Sequence, residues 1–308
     1  MIACVAQHIL AGACDLRGFA ECLPPIEEED CDDVDTAPRR DGENGRFVPA
    51  SRVDQLRLPI RPDEAAAAGC DRFVDGNSGT GLSSLIQLFG IDLDDRVAPN
   101  PDTGLADYTL VASLPDWPAG QTGNEVGASR LEMFTVVRGP NGARPNPADF
   151  VDGRARSTFD GDLSCGELHA SGPRFALQLS DTEYPDFILS AVTIAGELTV
   201  RHSSYSLSDA RIEAVLTEDA LIQWIRAWQV MCAGPDAPGS CAMGNMIFGG
   251  EPDVIVRTLL FPILRGADVQ VDRAGNVIST DCGADCNAVS ACLAFTTTPY
   301  NAEALEGE

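Results

Sequence analysis

The chain has 308 residues, 44% of them hydrophobic, with 47 acidic against 21 basic side chains and a formal charge of −26. That charge repels phosphate backbones and excludes nucleic acid as an electrostatically gathered partner. The length is enough to bury a sizeable core, as one large domain or two small ones, and so acidic a surface suits solubility, divalent cations or a salty medium.

Met1 to Ala13 is apolar but short and lacks a basic start, so it reads as a truncated signal or leader, too short to span a bilayer. Ala11-Gly12-Ala13 is a small-residue cleavage pattern, and Leu10 to Cys14 forms an imperfect lipobox that makes Cys14 a candidate lipid anchor. Residues 14–45 form an acidic, flexible arm: residues 1–45 hold eleven acidic residues against three arginines, a net of about −8. Residues 46–308 are expected to form a single β-rich domain.

Residues 46–60 read as a short strand bounded by Pro49 and Pro62. Ser78 or Thr80 is placed to cap a short helix through Leu82, Leu85, Ile86 and Leu88, ending at Gly90, with an acidic turn at Asp92, Asp94 and Asp95 after it. Residues 107–114, 130–138 and 174–180 have strand character, and the polar stretch from Gly139 to Ser171, with Asn141-Gly142 and Asp152-Gly153 inside it, is expected to form hairpins or an extended surface loop.

The clearest pattern runs from Val192 to Gly234. Val192, Ile194, Gly196, Leu198 and Val200 alternate with polar residues, and so do Ala210, Ile212, Ala214 and Leu216, which together predict an antiparallel hairpin. The period then changes: Thr217 is an N-cap, Glu218 and Asp219 suit the positive end of a helix dipole, Leu221, Ile225, Trp228 and Cys232 recur at helical spacing, and Gly234-Pro235 ends the helix. Pro252 opens a second helix through Val254, Ile255, Leu259 and Leu260, which Pro262 ends or kinks. A polar loop (ADVQVDRAGN) and a last strand near Val289 to Thr296 follow, and residues 301–308 are expected to fray. The fold class is therefore mainly β, as antiparallel sandwich-like sheets with two or three packed helices, with α+β as the alternative.

The chain has eleven cysteines and no C-x-x-C, which favours disulfides in an oxidising compartment over a zinc site. The candidates for bridging are Cys22 and Cys31, Cys232 and Cys241 around a Pro/Gly-rich loop, and Cys282, Cys286 and Cys292. Cleavage after Ala13 would leave ten cysteines and lipidation of Cys14 nine for pairing, so parity favours a soluble secreted product.

Catalytic signals are thin. The histidines are His8, His169 and His202; Gly76-Asn77-Ser78-Gly79-Thr80 misses the last glycine of a nucleophile elbow; GNSGTG lacks the lysine of a phosphate loop. Carboxylates are too abundant for any pair to point to glycoside chemistry. Calcium is the one cofactor the residues suggest, through Asp71/Asp75/Asn77, Asp92/Asp94/Asp95 and Asp268/Gln270/Asp272, although Arg273 and Ser279 break an EF-hand pattern and such residues more often cap turns. Trp224 and Trp228, one helical turn apart, are expected in the core rather than in a sugar-stacking platform.

Three segments, GCDRFVDGNSGTGLSSLI, ADVQVDRAGN and CNAVSACLAF, resemble those of the cysteine-bearing, acidic, secreted or lipid-anchored surface proteins of myxobacteria-type proteobacteria. Asp75-Gly76-Asn77 is out of step with that group's early motif, and Cys292 and Ala294 stand at glycine-like positions of its late one. The resemblance implies location and chemical style, not mechanism.

The reading is a secreted or surface-tethered, disulfide-stabilised binding or structural envelope protein without catalytic activity. It would be extracellular or in the outer cell envelope, with a protein or glycan partner at the cell surface and no membrane span. The competing readings are an extracellular hydrolase of polysaccharide or ester substrates and a subunit of an extracellular assembly.

Overall fold

Apolar alternation is the organising signal of the computed structural model, and it runs well beyond the segments where composition makes it plain. The structure describes residues 50–300 except 71–80, 89–90, 99–105, 107, 118–126, 140–141, 179–183, 202–203 and 265. All of these fall in the compact unit Thr36–Glu308.

The main strands are β1 (Ala50–Arg57), β2 (Thr109–Ser113), β3 (Gly127–Gly139), β7 (Ser157–Ser164), β8 (Glu167–Leu177), β9 (Phe187–Arg201), β10 (Ser204–Thr217) and β13 (Ala288–Tyr300). Each pairs antiparallel with the next in that order, and β13 pairs back onto β1, so the eight strands close into an up-and-down barrel. A short β4 (Gly142–Pro145) continues alongside the far end of β3, and two small hairpins, β5–β6 (Phe150–Val151, Arg154–Ala155) and β11–β12 (Gln270–Val271, Val277–Ser279), stand apart from the barrel sheet. The turn Asp152-Gly153 has φ of 51° and 77°, the left-handed pair that a two-residue hairpin turn needs, and it joins β5 to β6.

This closure overturns the expected sandwich. Alternation records which face of a strand is buried, and that record is the same in a sandwich and in a barrel. What decides is whether the first and last strands pair. Here Ala50 sits across from Tyr300, and β2 bridges β1 to β3. The mainly β character with few, short helices stands.

An eight-stranded barrel has an interior just wide enough to be filled by side chains. Leu110, Ala112, Leu131, Met133, Phe159, Leu163, Leu168, Ala170, Phe175, Ile194, Leu198, Tyr205, Ile212, Ala214, Ala291 and Leu293 belong to one continuous buried cluster. Small residues make the tight curvature possible. At Gly172, a Cβ would come within 2.6 Å of the Phe159 ring and 2.7 Å of the Thr158 carbonyl. Outward positions of β7 to β9 are polar, with exposed Asp160, Glu167, His169 and Glu197, which is the reverse of the pattern of a lipid-facing barrel. Among the described residues no helix is long and apolar enough to cross a membrane.

The core cluster continues out of the barrel at the end where Leu177 pairs with Phe187. There α4 (Glu218–Ala233) follows β10 directly, N-capped by Thr217, whose hydroxyl accepts from Ala220 N at 3.1 Å. Trp224 stacks on Phe187 (4.8 Å, 9° between planes), donates its indole N–H to Pro185 O (2.9 Å), and meets Phe248 edge-on. Phe248 ends α5 (Cys241–Phe248), a helix for which the sequence analysis gives no expectation. The Pro252 helix is present as α6 (Pro252–Ile255), then a π-helical turn over Val256–Leu260 that accommodates Pro262, then α7 (Phe261–Ile263).

Short helices also dress the barrel wall. These are α1 (Pro62–Ala67), α2 (Gly81–Leu88) and α3 (Leu93–Val97). The Cys70–Cys292 disulfide fastens the end of the α1 segment to β13, beside buried Ala65.

Candidate functional site

Of the carboxylates singled out for calcium, Asp92, Asp94, Asp268 and Asp272 accept from backbone donors, and this follows from where each sits in the chain. Asp92 precedes a helix and caps it: its Oδ1 accepts from Asp94 N (3.0 Å) and Asp95 N (3.4 Å). The acidic turn expected here is therefore the start of α3. Asp94 turns back to β1, accepting from Leu56 N at 3.1 Å and Arg57 Nε at 3.0 Å, while Asp95 points to solvent.

In the β11–β12 hairpin the two aspartates also part company. Asp268 is half-buried and accepts from both Ser290 N (2.7 Å) and Ser290 Oγ (2.5 Å); burial pushes its carboxyl above the ordinary value in spite of those bonds. Asp272 closes its own turn, accepting from Ala274 N (2.8 Å), Asn276 N (2.9 Å) and Asn276 Nδ2 (3.0 Å), and the bonds from Asn276 hold its carboxyl below the ordinary value. Gln270 pairs with Ser279 in the hairpin ladder. Asp71, Asp75 and Asn77 lie outside the described residues. Among the described residues no three His, Cys, Asp or Glu side chains are grouped to hold a metal ion.

His169 stands on the outer face of β8, exposed, with Glu167 3.3 Å from its Nε2. His202, Ser78 and the other residues around it in the glycine-rich loop fall outside the described residues. Trp224 and Trp228 are buried, as their helical spacing predicts.

The cysteines are more informative. The local bridge expected around the Pro/Gly-rich loop joins Cys232 to Cys241, and Cys282 joins Cys286. Cys292 does not pair within its own segment but with Cys70, 222 positions away, a partner that no local spacing marks. Cys165, in the β7–β8 turn, is disulfide-bonded as well. Cys22 and Cys31 lie outside the described residues.

What the sequence reading missed is a groove on the helical end of the barrel. It has a volume of about 660 Å³ and is lined by Gln229, Cys232 and Ala233 of α4, Asn245 of α5, and the connection Gly249, Gly250, Glu251 and Pro252. Its walls are fixed. Gln229 Nε2 donates to Phe248 O (2.6 Å) and Gly250 O (2.8 Å), and the Cys232–Cys241 bridge ties the end of α4 to the start of α5.

The chemistry of the lining is one-sided. The C-terminal ends of α4 and α5 both open here, and helix C-termini carry partial negative charge. Glu251 is the one charged residue in the lining, and it is acidic. Across residues 218–264 five acidic residues (Glu218, Asp219, Asp236, Glu251, Asp253) stand against two arginines, a net of −3, and one of those arginines, Arg257, is bound to Glu218 at 2.6 Å. Three exposed apolar side chains, Val230 (75%), Met246 (82%) and Val254 (53%), each lie within two positions of a lining residue.

The class these features define is a disulfide-braced, closed eight-stranded up-and-down barrel with a helical cap at one end. Comparison with known protein families, with curated protein sequences and with solved structures finds no match.

Proposed function

We propose that the chain is a disulfide-stabilised binding or structural protein of the cell exterior or outer envelope, meeting its partners on its outer surface and not in its lumen. The observation that carries this is the filled barrel. Hollow eight-stranded barrels hold one small ligand inside, whereas this interior is taken up by Phe159, Phe175, Tyr205 and their neighbours. The bridges Cys70–Cys292, Cys232–Cys241 and Cys282–Cys286 support the compartment, since disulfides of this kind persist where the medium is oxidising.

The test is to recover the protein from its native cells, label free thiols before any reduction, and probe its access to protease on intact cells. A protein that stays thiol-poor and is cleaved from outside agrees with the proposal. Recovery in the reducing interior with free Cys70, Cys232 or Cys282 would overturn it.

A further inference from the structure

We propose that the groove between the C-terminal ends of α4 and α5 receives a cationic side chain, an arginine or lysine flanked by apolar residues, from an extended segment of a partner protein. This deepens the proposed role as an exterior binding protein and rests on it. A guanidinium or ammonium is a donor without acceptors, and the groove is lined by the Glu251 carboxylate, by exposed Asn245 and by the negative ends of two helices. No cationic residue lines it. The three segments that form the groove also carry exposed Val230, Met246 and Val254, apolar surface that residues flanking the cation would cover.

Preorganisation favours the same occupant. Gln229 spends its amide protons on the carbonyls of Phe248 and Gly250, and the Cys232–Cys241 bridge closes a short loop beside it, so the groove does not need to be built when the partner arrives. An anionic ligand would instead meet the negative ends of two helices and the Glu251 carboxylate.

The experiment uses the full chain at physiological ionic strength and two capped peptides of equal length, one alternating leucine with arginine, the other leucine with glutamate. The side-chain amide resonances of Gln229 and Asn245 are followed by NMR. The arginine peptide should move both resonances and the glutamate peptide neither. Glu251→Gln should weaken the arginine peptide about three- to fivefold, the scale of one exposed ion pair. Asp160→Asn, which removes the same charge from the outer face of β7, should leave its affinity unchanged.

Shifts of equal size with both peptides, no shift with either, or equal losses in the Glu251 and Asp160 variants would each overturn the groove assignment. Those outcomes leave the exterior location untouched, because that is read from thiol labelling and protease access.

Discussion

Ala50, the first residue of β1, pairs with Tyr300, the last residue of β13, and this ladder places β1 between β13 and β2 and β13 between β1 and β10. An edge strand exchanges its amide protons early, because its outer N–H groups face water and it can peel off alone. In a closed barrel β1 and β13 should instead exchange as late as the β9–β10 hairpin, while β4 and the β5–β6 hairpin exchange first. Hydrogen exchange read by mass spectrometry checks this. Early exchange confined to β1 would mean that the barrel is open at that seam in solution.

Gly244 lies in the middle of α5, where alanine would ordinarily be the better helix former by about 1 kcal/mol. Its neighbour reverses the sign. A Cβ at this position would overlap the Trp228 indole, which is buried under α5 and against Phe248. Gly244→Ala should therefore lose about 1–3 kcal/mol by overpacking. Gly239→Ala, where a Cβ meets nothing within 4 Å, should be close to neutral. Thermal or urea unfolding of the two variants side by side is the measurement, and an unchanged Gly244→Ala protein would mean that α5 does not press on the tryptophan.

How far the sequence discloses this fold depends on where information about a residue's neighbours is stored. The β9–β10–α4 unit is legible because its apolar face, its N-cap Thr217 and the Gly234-Pro235 stop are all local. Strand β7 is hidden by its composition: Phe159, Gly161 and Leu163 face inward, but the outward Asp160 and Asp162 and the inward glycine make STFDGDLS look like a loop. Barrel closure is not written in any one strand, since pairing of β1 with β13 joins residues some 240 positions apart, as Asp54 and Thr296 do through their side chains. The calcium loops illustrate the converse. Asp92 and Asp272 have the residue types of ligands, and only the bonds they make reveal them as capping groups. The groove is formed where α4, α5 and the connection to α6 meet, with Gln229 as the link, and a glutamine within an amphipathic helix gives no signal of that.

The disulfides differ in what they should contribute to stability. In the chain-entropy account the gain grows with the loop closed, and it assigns about 5 kcal/mol to the bridge over 222 positions from Cys70 to Cys292 and about 2 kcal/mol to the Cys282–Cys286 bridge over 4. Both Cys70 and Cys292 are buried, so Cys70→Ala/Cys292→Ala also removes packing against Ala65. That double variant should unfold at much lower denaturant than Cys282→Ala/Cys286→Ala. Non-reducing peptide mapping of the parent protein should recover the 70–292, 232–241 and 282–286 links. Equal losses in the two variants would show that the long bridge does not restrain the unfolded chain.

Tyr205 points into the barrel with its hydroxyl donating to Ala112 O at 2.9 Å, and burial pushes its phenol well above the ordinary value near 10. A raised value in the folded state means that the neutral phenol contributes stability in full below the unfolded value and loses it as pH rises beyond that point. Alkaline titration at the tyrosinate absorbance should therefore show Tyr205 ionising only with unfolding, and Tyr205→Phe should remove its contribution to that step. The same substitution leaves a buried carbonyl without its hydroxyl donor and should lower stability at neutral pH by about 1–3 kcal/mol. Ionisation of all four tyrosines before the fold is lost would place the Tyr205 ring in contact with water.

Asp268 and Asp272, four positions apart in one hairpin, should titrate on opposite sides of the ordinary carboxylate value near 3.9. For Asp268 burial raises the folded value, so its contribution is fully present below the unfolded value and falls away as pH rises through the folded one. For Asp272 the bonds from Asn276 and the turn amides lower the folded value, so its contribution is present above the unfolded value and is lost as pH falls through the folded one. Carboxyl carbon NMR with each aspartate replaced by asparagine in turn would assign the two curves. Asp268→Asn keeps an acceptor for Ser290 N and carries no charge, so it should lose none of its stability as pH rises through the region where the parent declines, whereas Asp272→Asn should flatten the acid side of the profile. Two coincident titrations would mean that Asp268 is hydrated and that β11–β12 does not pack on Ser290 of β13.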